Sequence, residues 1–530
     1  MHRTVPLLLA VLFVLVPVLA LAEEPVDLEM VSRIRDAGFR RSQVLETVRH
    51  LTDEIGPRVT GSPGMKEANE WTRQKLAEWG LRNAHLEAYP FGRGWSATRT
   101  VVQVLQPWEQ TLPALPRAWA PGTDGGPVRG PLFLMPIGMK TTEKDLEAYR
   151  GKVAGKILLV GEARDLIKDP RKVDPRRYTS EALDELSLYS RDEDDDPAAA
   201  VKRQLERRAL RNAVNRFLVE EKALATIDAS RFDWGTLTAG RGGSPRTEDP
   251  PGVPGVTISA EDFNRLQRLV SAGREVEMEI EVRARFLTDD LNAYNTIAEI
   301  PGTGKQGEIV LAGAHLDSWH GGTGATDNAV GCAVMMEAVR ILEALGVKPR
   351  RTIRIALWSG EEQGLIGSQA YVTEHLGSRP KPADLPAEVP AFNWPPSAGP
   401  FKAKPEHSKL SAYFNLDNGG GRIRGIYAQE NAAVVPLFEA WLRPFRDLGA
   451  TTVTMQRTGS TDHVPFDAAG IPAFQFIQDE LDYSGHTHHS NVDVYDHLEA
   501  DDLKQASVVI ATFLYQAAMR EERLPRKQLP

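Results

Sequence analysis

Nine of the twelve histidines in this 530-residue chain lie after Ala314, and most of them sit near carboxylates. The first group is His315-Leu316-Asp317 at the end of an apolar run. Residues two apart on a strand share a face, so the Asp317 carboxylate can orient the His315 imidazole. Asp327 follows a loop containing Gly321, Gly322 and Gly324, where backbone can approach a ligand closely; its plainer role is a helix N-cap. Glu361 and Glu362 lie just past another apolar run, and Asp417 ends a third. Adjacent carboxylates at the end of a buried strand repel each other and lose free energy on desolvation. A cation relieves both costs, with one carboxylate ligating it and its neighbour free to take a proton from bound water. Near the end, Tyr483-Ser484-Gly485-His486-Thr487-His488-His489 supplies three more histidines, each a ligand candidate or a plain loop residue. Two histidines and four carboxylates at successive strand ends suggest a site for two divalent metals.

Other hydrolytic chemistries lack their motifs. Ser359 lies in Trp-Ser-Gly-Glu rather than a Gly-x-Ser-x-Gly elbow, Cys332 falls inside an apolar helical run, and there is no His-Glu-x-x-His.

The elements that must position these residues are legible as a pattern. From Tyr294 onward the sequence alternates strand, helix and strand: Glu308–Ala314, Ala329–Leu345, Thr352–Trp358, Ala412–Leu416, Pro472–Ile477 and a closing helix Leu503–Met519. Such alternation predicts an α/β sheet with its site at the carboxyl ends of the strands. A helix capped by Ser62 and stopped at Gly80, followed by strands near His85–Tyr89 and Arg99–Leu105, belongs with it. Pro380–Pro405 holds eight prolines and reads as a surface insertion. Between about 118 and 288 we expect a second domain, with strands at Lys156–Val160 and Val276–Val282. Its acidic Asp192–Asp196, mostly basic Lys202–Arg211 and Gly/Pro-rich Gly240–Gly255 read as a solvated helix and loop without chemistry.

The composition, 42% hydrophobic and 25% charged, is that of a folded globular protein, and the net charge of −9 argues against nucleic acid as a partner. Residues 1–22 read as a secretory signal: a short positive start, an apolar Leu7–Leu19, and Ala20-Leu21-Ala22 before the acidic pair. No later stretch approaches a membrane span. With one cysteine there is no internal disulfide, so the expected location is a bacterial periplasm or the medium.

The motifs resemble the co-catalytic two-zinc aminopeptidase and glutamate carboxypeptidase-like peptidases with a protease-associated domain insertion. The matching segments are His315-Leu316-Asp317-Ser318, Thr326-Asp327-Asn328-Ala329-Val330-Gly331, Ser359-Gly360-Glu361-Glu362-Gln363-Gly364, Asn415-Leu416-Asp417, Thr461-Asp462-His463-Val464-Pro465-Phe466 and His489-Ser490-Asn491-Val492-Asp493. Ile55-Gly56-Pro57-Arg58 and Gly61-Ser62-Pro63-Gly64 look like the family's opening segment.

The resemblance implies a mixed, largely parallel α/β sheet with helices on both faces, formed by residues 23–117 and 289–530, and a β-rich inserted domain over 118–288. It implies that His315 and Asp417 hold one zinc, Glu362 and His489 the other, and that Asp327 bridges them; other divalent metals are compatible. Glu361 is then the general base and Asp317 the residue orienting His315. The choice of His489 over His486 and His488 rests on the His-Ser-x-x-Asp pattern. Some relatives bind the oxyanion through a Tyr directly before the ligand histidine; here that residue is His488, so His488, Tyr483 and His463 are the candidate substrate or oxyanion contacts. The implied activity is a secreted metallo-exopeptidase acting on peptides from the amino end, since no Arg adjoins the motifs after Asp317 to clamp a terminal carboxylate. A dipeptidase or glutamate carboxypeptidase-like enzyme is the alternative, followed by a glutaminyl-cyclase-like acyltransferase and a catalytically dead receptor-like binding protein. A homo-oligomer is compatible with all of these.

Overall fold

The computed structural model describes residues 24–527 apart from 139, 167–176, 191–196, 384, 387–388 and 395. The signal expectation over 1–22 and the acidic run at 192–196 lie outside the described residues. Among the described residues, no helix is long and apolar enough to cross a membrane.

The first sheet has eight strands in the order Arg82–Pro90, Asn292–Ile300, Arg351–Trp358, Lys305–His315, Leu410–Asn415, Ala473–Gln478, Ile423–Tyr427 and Thr452–Thr454. Its centre is parallel: Arg351–Trp358, Lys305–His315, Leu410–Asn415 and Ala473–Gln478 run side by side in one direction. Alternate residues of these strands enter different cores, as the two-residue period of a strand demands. Val310, Ala312 and Ala314 pack with helices Leu28–Arg40, Val330–Ala344 and Ala500–Met519, while Ile309 and Leu311 meet Tyr371, Phe466 and Leu376 on the opposite face. Val330–Ala344 is buried on every side through Leu342, which explains its nearly unbroken apolar run. Ser62 accepts a hydrogen bond from Met65 N and opens helix Pro63–Glu78, as the sequence predicts.

The second eight-stranded sheet reaches back to Gly94. Its order is Gln110–Leu112, Gly94–Gln106, Glu277–Leu287, Val128–Met135, Ile157–Val160, Ala225–Ala229, Gly255–Ile258 and Ala114–Pro116. Its own core contains Val102, Ile157, Ile227, Val256 and Ile280, and helix Pro197–Glu220 packs through Ala213, Phe217 and Leu218 against Leu158 and Met135.

Candidate metal centre

Three adjacent parallel strands bring the candidate ligands to one edge. His315 is the last residue of its strand, Glu361 and Glu362 follow Trp358, and Asp417 follows Asn415 by two residues. Parallel strands all finish at the same edge, so residues 102 positions apart in the chain meet in space: His315 Nε2 lies 3.2 Å from Asp417 Oδ1. The same nitrogen is 3.2 Å from Asp327 Oδ1. On the other side of Asp327, its Oδ2 is 3.2 Å from His489 Nε2, which is itself 3.0 Å from Glu362 Oε2. Two triads of potential donors share Asp327: His315–Asp327–Glu362 and Asp327–His488–His489.

The chemistry of the donor set fits divalent cations. Asp327 Oδ2 and Glu362 Oε1 are buried and accept no hydrogen bond among the described residues. Buried oxygens of this kind cost free energy unless something positive meets them. Burial opposes the charge on His315, yet Asp417, Glu361 and their neighbours outweigh it and push the imidazole well above its usual range. Burial likewise opposes charge on His489, but Glu362 and Asp327 raise it to about 10. Burial first, then Asp327, lifts Glu362 to about 7 against the pull of His489. Glu361 is raised well above the carboxylate range, first by burial and then by Asp417, Asp462 and Glu362, against the pull of His315. Asp462, fully buried and with neither carboxylate oxygen hydrogen-bonded among the described residues, is pushed up to about 8, first by burial.

Asp317 acts differently from the pattern His-x-Asp suggests. His315 Nδ1 lies 2.9 Å from the Asp317 main-chain carbonyl but 3.6 Å from its carboxylate, too far for a hydrogen bond. The carboxylate instead accepts hydrogen bonds from Thr60 Oγ1, Glu361 N and Glu362 N, and so fixes the turn that carries both glutamates. The glycine loop also departs from expectation. A Cβ on Gly321 or Gly322 would meet the backbone of Ser490 or Asp493 within 3.0 Å, so the close approach is between two chain segments, not to a ligand. Nor is Asp327 a helix cap: the cap position of Val330–Ala344 falls on Ala329, and it is Asn328 Oδ1 that accepts from Gly331 N.

Residues to which the sequence assigned no role of their own hold this arrangement. Asp493 accepts hydrogen bonds from Thr326 N, Thr326 Oγ1 and Asp327 N, fixing the position of Asp327. The fully buried Arg58 donates to the carbonyls of Leu316, Leu51, Gly56, Thr323 and Gly324, pinning the loops on both sides of His315. The second sheet's body braces the histidine loop: Ala239 N donates to the His489 carbonyl at 2.8 Å, and Asn491 N to the Leu237 carbonyl at 2.9 Å. His489 needs this support because its φ of 58° lies in the left-handed region.

The remaining candidates separate cleanly. Tyr483 and His488 line the cleft with Asp327, Glu361, Glu362, Asp417 and His489, their rings 4.8 Å apart. His463 does not line it; its Nε2 lies 3.0 Å from the Thr458 carbonyl and 2.9 Å from Gln429 Nε2, inside the scaffold. His486 turns away and stands against His497. Cys332 is inert, its thiol driven up to about 12 by burial while its Sγ donates to the His315 carbonyl.

This geometry agrees with what the chain is similar to. Residues 295–514 match the model of peptidase family M28. Carboxypeptidase Q of Mus musculus is 25% identical over 489 residues, spanning 92% of this chain and 88% of its own length. A peptidase M28 precursor from Shewanella amazonensis superimposes with a TM-score of 0.66 at 24% identity, over 95% of this chain and 98% of that one. A zinc aminopeptidase from Bacillus subtilis has the same fold, with a TM-score of 0.56 at 19% identity, over 90% of this chain and 95% of that one. The family match covers the metal-donor residues on the carboxyl edge of the shared sheet, so residues 295–514 resemble peptidase family M28 and the chain is similar to that family's zinc metallopeptidases.

Proposed function

We propose that the chain is a two-metal exopeptidase that removes residues from the amino end of peptides. The observation that carries the reading is Asp327, shared between two triads of donor atoms with one oxygen toward His315 and the other toward His489. On this reading His315 and Asp417 would hold one metal and Glu362 and His489 the second, with Asp327 available to both. Bound there, divalent cations would supply Lewis-acid polarisation of a peptide carbonyl and a lowered pKa for water.

The chain's own groups do the rest. Glu361 lines the cleft with no hydrogen bond or ion pair to its carboxylate among the described residues, so it is available to take a proton from water and deliver it to the leaving amine. Asp317 holds the Glu361 amide and keeps that carboxylate in place. Arg231 Nη2 donates to His488 Nδ1 at 2.8 Å. An arginine only donates, so Nδ1 accepts and the ring proton is left on Nε2. That nitrogen lies 3.8 Å from Asp327 Oδ2, inside the cleft, where its N–H suits an oxyanion. We therefore read His488, rather than Tyr483 or His463, as the oxyanion donor.

The carboxylates of the cleft favour a substrate ammonium, which supports action at the amino end. The body over 118–288 is read as an inserted module and residues 1–22 as a cleaved leader, placing the enzyme in a periplasm or the medium. Three forms of one dipeptide test the reading: acetylated at the amine, amidated at the carboxyl, and unblocked. Release from the amidated and unblocked forms, with none from the acetylated one, is expected. Cleavage of the acetylated form at the amidated rate overturns amino-end action.

A further inference from the structure

Beside the metal cleft lies a second cavity of about 770 Å³ that shares Gln204, Arg241, Gln363 and Gly364 with it. Its lining includes six arginines, Arg203, Arg207, Arg208, Arg211, Arg241 and Arg246, and among the described residues no Asp or Glu. Arg208 is held by Asp249 and Glu248, and Arg246 faces Glu248. The other four make no ion pair with any carboxylate among the described residues. Arg211 buries its Nε without an acceptor. Arg241 Nη2 donates to the Glu362 carbonyl at 2.6 Å, which places this guanidinium directly behind a candidate metal ligand. Burial and the neighbouring Arg211 draw the Arg241 guanidinium down to about 10, against the pull of Glu362, Glu361 and Asp317; it is still a cation at neutral pH. Arg203 and Arg207 are exposed, but burial weighs on Arg211 and Arg241, and holding these two desolvated guanidinium groups around one space is costly unless an anion enters it. Arginine's planar fork of donors matches a carboxylate.

We infer that this cavity is a subsite for a carboxylate of the peptide substrate, held within reach of the scissile bond. The inference rests on the exopeptidase reading and adds its substrate class. It also changes one premise of the sequence reading: arginines do adjoin the site, delivered by helix Pro197–Glu220 and the 241–246 loop of the second body. The carboxylate is either the α-carboxylate of a very short peptide or the side chain of an acidic residue beside the cleaved bond.

Binding to zinc-loaded Glu361→Gln protein, measured by calorimetry, tests this without requiring turnover. The probes are Ala-Ala, Ala-Ala amide and Ala-Glu amide. At least one carboxylate-bearing peptide is expected to bind about tenfold or more tightly than Ala-Ala amide. Preference for Ala-Ala alone identifies the α-carboxylate, and preference for Ala-Glu amide alone the acidic side chain. Arg211→Gln should erase the preference. The double variant Arg203→Gln/Arg207→Gln, on the exposed side of the helix, should reduce it and serves if Arg211→Gln does not fold. Equal affinity for all three peptides, or a preference untouched by these substitutions, overturns the subsite. Absence of turnover of every dipeptide by the native enzyme would instead overturn the exopeptidase reading, so the two failures are distinct.

Discussion

The metal cleft and the arginine cavity share a wall yet carry opposite charge. The cleft gathers Asp327, Glu361, Glu362 and Asp417 around His488 and His489, whereas the cavity gathers arginines around an apolar floor that includes Phe91 and Ile366. Each is a concentration of like charge that a folded protein tolerates only when a counter-charge completes it. The acidic group calls for cations and the basic group for a carboxylate, so a peptide lying across the shared wall meets both. The difference also lies in origin. Strand ends of the first sheet and the loops beside them build the cleft, while the cavity depends on a helix and a loop from the second body.

Breaking the acidic side should produce the largest effect. Asp327→Ala leaves both cations under-coordinated, so bound metal should fall from two equivalents toward one or none and activity should disappear; two retained equivalents would contradict the bridge. Glu361→Gln should keep metal and fold while kcat drops about 10²-fold or more. Activity within a few-fold of wild type would remove Glu361 from the mechanism. Arg58→Leu sharpens the comparison differently, because this buried arginine is an answered charge, bonded to five carbonyls. Losing it strands several of them and should lower unfolding stability by about 2 kcal/mol or more, read from denaturant melts. The smallest effect is expected at Arg231, a cation of the second body that serves the acidic side. Arg231→Gln should lower kcat about tenfold with KM little changed, and Arg231→Lys should recover part of it. A change in KM alone would make Arg231 a binding contact.

The two regions differed equally in how far the sequence disclosed them. The parallel core was readable because Ile309–Ala314, Ile353–Trp358 and Ala412–Leu416 are apolar runs ending in polar motifs, and strand ends are where an α/β sheet presents its chemistry. His315, Asp327, Glu362, Asp417 and His489 follow that logic, and the structure brings them together. Arg203, Arg211 and Arg241 follow none. On the chain they are a charged helix and a glycine-rich loop, the ordinary look of a solvated surface. Only the docking of the second body against residues 363–369 sets Arg211 and Arg241 into a shared wall, with Arg203 at its exposed side. The roles of Asp493 and Arg58 were hidden for a related reason: their partners are backbone groups of distant loops, which leave no periodicity to read. His463 shows the converse, a residue within a matching motif whose imidazole serves the scaffold.

The proposed chemistry requires a pair of metals held through Asp327. Elemental analysis of the purified, zinc-equilibrated enzyme tests it most directly. Two tightly bound equivalents per chain are expected, with chelation abolishing peptide cleavage and zinc restoring it. A fully active enzyme carrying one equivalent or none would contradict it.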